Sequence, residues 1–155
     1  MARLAVDTPF GPMVLEGEDA LTRLWLPNAL PDGWGRGEET PLLRTARAQL
    51  LEYLSGTRRS FDLPLDPAGT AFQRSVWEAL GSIPYGQTRT YGEVAAAVGR
   101  PSAVRAVGQA NHVNPLPIFI PCHRVVGKNG ALTGYAGGLD LKGALLALES
   151  GKECL

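Results

Sequence analysis

The fold of the second half of the chain is decided by the stretch Tyr91-Gly-Glu-Val-Ala-Ala-Ala-Val-Gly-Arg-Pro-Ser-Ala-Val-Arg-Ala-Val-Gly-Gln-Ala-Asn111. Val94, Ala95 and Val98 recur at helical spacing, and Gly99-Arg-Pro101 interrupts the pattern before a second helix over 102–111. Two short helices across a glycine-containing turn are typical of a helix-turn-helix. A plain helical hairpin would show the same pattern, so the pattern favours DNA binding but leaves both interpretations open.

The second helix of this pair has few side chains that could read a DNA sequence. A helix that reads bases usually presents many long polar side chains to the groove. Small residues instead let the helix backbone approach a groove read by shape, or phosphates met by backbone N–H groups. If DNA is the partner, we therefore expect weak sequence specificity. The small residues are Ala103, Ala106, Gly108 and Ala110, and the long polar ones are Arg105, Gln109 and Asn111.

Two further helices flank this region in the second half of the chain. Thr70-Ala-Phe-Gln73 matches a capping box and predicts a helix over about 71–80. The segment 140–150 places Leu141, Ala144 and Leu145 on one apolar stripe, and Gly151 ends it. The second half is therefore predicted to be mainly helical.

The first half of the chain predicts a different architecture. Short apolar runs separated by Gly/Pro turns over the segment 1–26 predict an antiparallel meander. Thr40-Pro41 supplies an N-cap and a first-turn proline for a helix that stops at Gly56, and 57–70 is interpreted as a linker. We expect an α+β protein with an N-terminal α/β domain over 1–69 and a C-terminal domain over 70–155.

Composition excludes several classes of protein. The chain has 155 residues and 45% hydrophobic residues, without an apolar run near the roughly 18 to 20 residues that a membrane span needs. Asp7 interrupts the stretch where a signal peptide would be apolar, which favours the cytoplasm. Two cysteines and two histidines without C-x-x-C or H-x-x-x-H spacing predict neither a disulfide scaffold nor a metal site, and no cofactor is expected.

The net charge of zero conceals an asymmetry between the two halves. Residues 1–70 carry 7 basic and 10 acidic side chains, a net charge of −3, whereas 71–155 carry 8 and 5, a net charge of +3. A modest positive face of this kind suits a polyanion, although an ordinary solvated surface explains the charge equally well.

The segment Asn114-Pro-Leu-Pro-Ile-Phe-Ile-Pro-Cys-His-Arg-Val-Val126 carries the candidate chemistry. Its prolines lack backbone donors, so we interpret the segment as a fixed, extended loop and not as a central strand. Cys122 beside His123 predicts an activated nucleophile, because a nearby base can generate the reactive thiolate. Neighbouring side chains of an extended chain point apart, so contact requires a bend at Cys122 or a bridging water. A buried, unreactive cysteine is the competing interpretation.

Glu149 is the candidate third member of this site. It lies in the last turn of the final predicted helix, where the helix dipole disfavours a carboxylate, and it borders the apolar stripe. A base is usually oriented by a further polar group, which Glu149 would supply. A tolerated surface glutamate is equally compatible with this position.

An ordered series of motifs through about 70–150 resembles the O6-alkylguanine-DNA alkyltransferases. The series is Arg105-Ala-Val-Gly108, Asn114-Pro115, Ile120-Pro-Cys-His-Arg-Val125, Gly134-Tyr-Ala-Gly-Gly-Leu139 and Leu145-Leu-Ala-Leu-Glu149. The first 70 residues match the family only in their general order of secondary structure and not in sequence motifs. The resemblance implies a ribonuclease H-like N-terminal domain and a winged-helix-like C-terminal domain. It also implies a monomeric repair protein that flips an alkylated guanine out of duplex DNA and transfers the alkyl group to its own cysteine, with O4-alkylthymine as a second substrate.

By motif position, the resemblance implies a role for each site residue. Cys122 would be the acceptor, His123 the water-mediated base, Glu149 the group that orients the histidine, Asn114 the hinge, and Tyr91 the donor to guanine N3. Arg105 would enter the base stack in place of the flipped base. The remaining DNA contacts would be Ala103, Ala106, Gly108, Gln109 and Asn111, and the substrate pocket would comprise Pro117, Arg124, Val125, Tyr135, Ala136, Gly137 and Lys142.

The chain departs from some members of that family. Ala136 stands where some members carry a serine, which leaves the substrate range open. The zinc ligands of some N-terminal domains and the cysteine-rich domain of the adaptive-response sensors have no counterpart. Cys154 is expected to be a bystander. Two alternatives remain: a DNA-binding lesion sensor or redox-responsive protein without transfer activity, and a cysteine hydrolase, which would leave the flanking helices unexplained.

Overall fold

The computed structural model describes residues 1–135 and 137–151. These residues form a mixed α/β protein with a three-stranded antiparallel sheet and several helices. The chain divides into two compact units, Met1–Pro67 and Ala68–Leu155. No helix of the described part is long and apolar enough to cross a membrane.

The first unit is the predicted meander with its helix. The strands are β1 (Arg3–Thr8), β2 (Gly11–Gly17) and β3 (Leu21–Trp25), in the order β1-β2-β3, and the helix is α1 (Pro41–Leu54). Thr40 accepts a hydrogen bond from the Leu43 N–H at 3.3 Å, which confirms the predicted N-cap. The helix packs on β1 and β2. The core of this unit includes Val6, Met13, Leu15, Leu43, Leu50 and Tyr53.

The segment 57–70 is more ordered than the linker that the sequence predicts. The Leu21 N–H donates to the Pro64 carbonyl at 2.9 Å, and the Asp66 N–H donates to the Leu21 carbonyl at 2.8 Å. These two bonds place Leu65 beside Leu21, the first residue of β3, as an additional bridge of the parallel type. The linker was predicted from the prolines of this segment. A proline lacks only its own backbone donor, so its carbonyl and the neighbouring residues can still pair with a strand.

The second unit consists mainly of helices, as predicted. These are α2 (Ala71–Gly81), α3 (Tyr91–Ala97), α4 (Val104–His112) and α5 (Leu139–Glu149). Capping boxes begin both α2, through Thr70 and Gln73, and α3, through Thr90 and Glu93. Two short parallel strands, β4 (Arg89–Thr90) and β5 (Val125–Val126), were not predicted. Two residues give too short a pattern for sequence periodicity to detect.

Helices α2, α3 and α4 pack together and fix the turn between α3 and α4. Gly99 follows α3 with φ at +76°, a left-handed conformation that glycine adopts without a side-chain clash. The Trp77 indole N–H donates to the Ala110 carbonyl at 2.9 Å, which ties α2 to the C-terminal part of α4. Helix α5 packs against the turn Cys122–Arg124. This arrangement brings α4, the proline-rich loop and the end of α5 to one region of the unit.

Candidate active site

The proline-rich loop folds back on itself before it reaches Cys122. The Phe119 N–H donates to the Pro117 carbonyl at 2.9 Å, so Ile118 is the centre of a γ-turn with φ at +73°. The Cys122 N–H donates to the Ile120 carbonyl at 2.7 Å around Pro121, whose φ of −78° and ψ of 66° form an inverse γ-turn. A branched residue in the left-handed region is a strained outlier. The sequence predicts an extended loop, whereas the two γ-turns make it compact.

Cys122 begins a single 3-10 turn, Cys122–Arg124, which supplies the bend needed to bring Cys122 and His123 to one side of the chain. Cys122 is buried, with 2% of its surface exposed. Burial raises the pKa of the Cys122 thiol to about 11, whereas the Asn114 side chain and the positive charge of Lys142 act in the opposite direction. The resting thiol is therefore protonated at neutral pH, and a base is needed to generate the thiolate.

Asn114 uses both ends of its buried amide to hold this loop. Its Nδ2 donates to the Ile120 carbonyl at 2.9 Å, and its Oδ1 accepts from the Leu116 N–H at 3.0 Å. The same side chain is the hydrogen-bond donor that lowers the pKa of Cys122. Asn114 therefore lies where one residue can set both the loop conformation and the ionisation of the thiol.

His123 and Glu149 form a buried pair next to the thiol-bearing residue. His123 Nε2 and Glu149 Oε2 are 2.6 Å apart, and their side chains are 0% and 1% exposed. Burial lowers the pKa of His123 in spite of the opposing effect of the Glu149 carboxylate. The neutral imidazole thus donates from Nε2 to Glu149, which makes Nδ1 the basic nitrogen of the ring. Glu149 is not the surface residue that one sequence interpretation allowed.

Arg124 binds both carboxylate oxygens of Glu149. Its Nε and Nη2 donate to the two carboxylate oxygens of Glu149 at 2.7 and 2.9 Å, and its Nη1 donates to the Ile83 carbonyl at 2.7 Å. The Gly86 N–H adds a bond of 3.2 Å to Glu149. These guanidinium bonds give Arg124 a structural role beside Glu149, and its predicted place in the substrate pocket stays a prediction. The Arg124–Glu149 pair compensates the charge that burial makes costly.

Tyr91 and Lys142 meet at the segment that precedes Tyr135. The Tyr91 hydroxyl donates to the Thr133 carbonyl at 3.4 Å and accepts from the Thr133 hydroxyl at 3.3 Å. Lys142 Nζ donates to the same carbonyl at 2.7 Å and lies 5.9 Å from the centre of the Tyr91 ring. Burial lowers the pKa of Lys142. Sequence reasoning missed Thr133, because an exposed threonine in a loop carries no distinguishing pattern.

The remaining pocket residues have varied surroundings. Pro117 and Tyr135 are buried, and Gly137 is half-buried close to Tyr135 in sequence. Val125 is completely buried in β5, where its backbone pairs with Arg89. Ala136, the position at which the chain departs from some relatives, and Cys154 lie outside the described residues.

Helix α4 exposes most of the residues predicted to meet DNA. Arg105, Ala106 and Gln109 are exposed, and Ala103 and Gly108 are half-buried. Asn111 departs from that prediction, because its side chain is 3% exposed and its Nδ2 lies 3.4 Å from the Cys122 carbonyl. It therefore faces the site and not the outer surface of the helix, since it follows Gly108 by three residues on the inner face.

The buried thiol predicts a pH-dependent contribution to stability. Because the unfolded chain ionises this thiol at lower pH than the folded chain, the folded state loses stability as pH rises from about 9 to about 11. Between pH 8 and pH 10 we expect the free energy of unfolding to fall by about 1 kcal/mol more than in Cys122→Ala. Urea unfolding of both proteins in a Cys154→Ser background measures this difference. Identical pH dependences would contradict it.

No group of three or more potential metal ligands occurs within residues 1–135 and 137–151. The side chains at the site include the Cys122 thiol, the His123–Glu149 pair and the Tyr91 hydroxyl. Together these groups can generate a nucleophile and donate a proton.

Comparison with known proteins identifies the family. The protein-family model described as "6-O-methylguanine DNA methyltransferase, DNA binding domain" matches residues 71–151 of this chain. The constitutive methylated-DNA–protein-cysteine methyltransferase of Bacillus subtilis is 52% identical over 151 residues, which cover 92% of each chain. A methylated-DNA–protein-cysteine methyltransferase of Methanosarcina acetivorans is 51% identical over 92% of this chain and 94% of its own.

A solved structure agrees with both sequence comparisons. The crystal structure of Mycobacterium tuberculosis OGT in complex with DNA superposes with a TM-score of 0.90 and 44% identity, over 97% of this chain and 94% of the other. The similarity thus extends through both units, including the N-terminal segment for which the motifs gave only a general plan. The chain belongs to the 6-O-methylguanine DNA methyltransferase family.

Proposed function

We propose that the protein repairs alkylated DNA by transferring an alkyl group from O6 of guanine to Cys122 in a single turnover. The observation that carries this proposal is the single turn Cys122–Arg124, which holds the thiol, the imidazole and the guanidinium that binds Glu149. Relatives with about 50% identity over nearly the whole chain are methylated-DNA–protein-cysteine methyltransferases. The thioether product is stable, so no second turnover follows.

Activation of the thiol is the first step of the proposed mechanism. His123 accepts the thiol proton at Nδ1 through an intervening water, because Nε2 is engaged by Glu149. Glu149 fixes the tautomer and stabilises the imidazolium that forms. Asn114 and Lys142 favour the thiolate, since the amide donates to it and the ammonium supplies positive charge.

Alkyl transfer then proceeds as an SN2 displacement. The thiolate sulfur forms a bond to the alkyl carbon as the bond between that carbon and guanine O6 breaks. The electron pair of the broken bond passes to the purine, and Tyr91 donates its hydroxyl proton to guanine N3. Lys142, close to the Tyr91 ring, stabilises the negative charge left on the tyrosine.

DNA binding delivers the damaged base to this site. Base flipping is required because the alkyl carbon cannot be attacked in line within a stacked pair, and it costs a few kcal/mol, least for a damaged base. The exposed surface of α4, with Arg105, Ala106 and Gln109, is the proposed contact with DNA. Ala106 and the half-buried Ala103 and Gly108 are small, which is consistent with weak sequence specificity.

The proposal also covers the finer architecture. We assign a ribonuclease H-like sheet to the first unit and a winged-helix-like arrangement, with α3 and α4 as its helix-turn-helix, to the second. The domain boundary is placed near residue 69. We further propose a monomer that acts in the cytoplasm and also accepts O4-alkylthymine.

A mass measurement tests the function directly. Incubation with a duplex that contains one O6-methylguanine should add one methyl group per chain, on the peptide that contains Cys122. A Cys122→Ser protein should bind the duplex without gaining the methyl group. DNA binding by the unchanged protein without any methylated peptide would favour the lesion sensor, and repeated turnover on a substrate other than DNA would favour the hydrolase.

Arg105→Ala is expected to slow methyl transfer in duplex DNA about tenfold or more while leaving transfer in single strands within about twofold. An intercalated side chain stabilises the gap left by a flipped base, and a factor of ten corresponds to only part of the few kcal/mol that unstacking costs. Single-turnover rates on both substrates measure this difference. Arg44→Ala, which removes an exposed arginine of α1, is the control for charge. Equal losses on both substrates would contradict the proposed role.

A further inference from the structure

Asn111 has a buried amide oxygen that the fold leaves unsatisfied. The residue belongs to the last turn of α4 and is 3% exposed. Its Nδ2 donates to the Cys122 carbonyl at 3.4 Å. Its Oδ1 is fully buried, and no donor within residues 1–135 and 137–151 forms a hydrogen bond with it.

The orientation of this amide follows from its neighbour. If the oxygen and nitrogen of the amide exchanged places, Oδ1 would lie against the Cys122 carbonyl, so that two acceptors would face each other. The Nδ2 atom therefore faces the carbonyl, and Oδ1 is the atom in need of a donor. A buried acceptor without a donor costs about 1–3 kcal/mol, whereas an apolar side chain of the same size would avoid that cost.

The surroundings of Asn111 suggest what supplies the donor. Gly108 and Asn111 are neighbours on the inner face of α4, since they are three residues apart. A Cβ atom at Gly108 would lie 4.0 Å from Tyr91 Cδ1, which places the Tyr91 ring beside the same face. In the proposed mechanism the base contacts both Tyr91 and Cys122, and Asn111 binds the Cys122 carbonyl, so the base comes close to the Asn111 amide.

O6-alkylguanine offers one donor on the free edges of its ring. Alkylation at O6 removes the proton from N1, and N3 and N7 are acceptors, so only the 2-amino group donates. This group is attached next to N3, the atom to which Tyr91 donates in the proposed mechanism. The 2-amino group of the base can therefore donate to Oδ1 of Asn111 on α4, while N3 of the base accepts from the hydroxyl of Tyr91 on α3.

We propose that Asn111 is a specificity-determining residue whose Oδ1 accepts a hydrogen bond from the 2-amino group of the flipped O6-alkylguanine. This inference rests on the proposed function and deepens it. O4-alkylthymine has no amino group, so it leaves Oδ1 without a donor. Asn111 consequently favours the guanine lesion over the thymine lesion.

The test compares two bases that differ only in this group. Single-turnover rates are measured for the unchanged protein and for Asn111→Leu on duplexes with O6-methylguanine or O6-methylhypoxanthine, in which hydrogen replaces the 2-amino group. The unchanged protein should favour O6-methylguanine, and Asn111→Leu should reduce this preference about tenfold, the effect of one buried hydrogen bond. Differences in base pairing between the duplexes cancel, because both proteins receive the same DNA.

Asn111→Asp provides a second, independent variant. The substitution retains an oxygen acceptor at the position of Oδ1, but it also replaces the donor to the Cys122 carbonyl by a second acceptor. That second change slows transfer from both bases alike, so the preference for the 2-amino group should persist even if Asn111→Leu does not fold. An unchanged preference in Asn111→Leu, or a lost preference in a folded Asn111→Asp, would overturn the inference. Failure of the proposed function is a separate result, because the unchanged protein would then transfer no methyl group from O6-methylguanine.

Discussion

Glu149→Gln is expected to slow methyl transfer about 10²- to 10⁴-fold and to lower the free energy of unfolding by about 3 kcal/mol. The substitution keeps the size of the side chain but removes the charge that Arg124 binds at 2.7 and 2.9 Å. The Arg124 guanidinium is then left buried without a compensating charge. The imidazole of His123 loses the carboxylate that fixes its tautomer, so Nδ1 is no longer held as the base.

Two measurements separate the effects of Glu149 on stability and on chemistry. Urea unfolding gives the loss of stability, and single-turnover transfer is measured at a temperature at which both proteins are folded. Asp140→Asn is the matched control, because it removes an exposed carboxylate from the first turn of the same helix. It should change stability by less than about 1 kcal/mol. A destabilised Glu149→Gln protein that reacts at the normal rate would restrict Glu149 to a structural role.

The helices were predictable because their determinants are local. The Thr70 and Thr90 capping boxes and the apolar stripes lie within a few residues of the structures they specify. The strands β4 and β5 depend instead on pairing between residues far apart in the chain, and each contributes only two residues. Their formation is decided by the packing of the loop against α3, which no local pattern records.

The identities of the site residues were easier to predict than their contacts. The motif around Cys122 and His123 indicates the chemistry, but it does not reveal that Arg124 turns inward to Glu149, which lies far along the chain. The left-handed conformation of Ile118 was also unpredictable, because branched residues rarely adopt it. Asn111 was placed on the DNA-facing surface by its polarity, whereas its position on α4 turns it towards Cys122.

Asn114→Asp is expected to slow methyl transfer about 10²-fold at neutral pH and to lower the free energy of unfolding by about 1–3 kcal/mol. The carboxylate still accepts from the Leu116 N–H, but it has no N–H to donate to the Ile120 carbonyl or to the thiolate. A negative charge beside the sulfur also opposes ionisation. The pKa of Cys122 should therefore rise further.

The pH dependence of transfer distinguishes this electrostatic role from support of the loop. If the Asn114 amide stabilises the thiolate, the increase of the single-turnover rate with pH should move to higher pH in Asn114→Asp. A purely structural role would lower stability and leave that profile in place. Asn129→Asp, which adds the same charge at an exposed loop position, should leave both the rate and its pH profile unchanged. Because the control adds equal charge, a shift confined to Asn114→Asp can come only from the neighbourhood of the thiol.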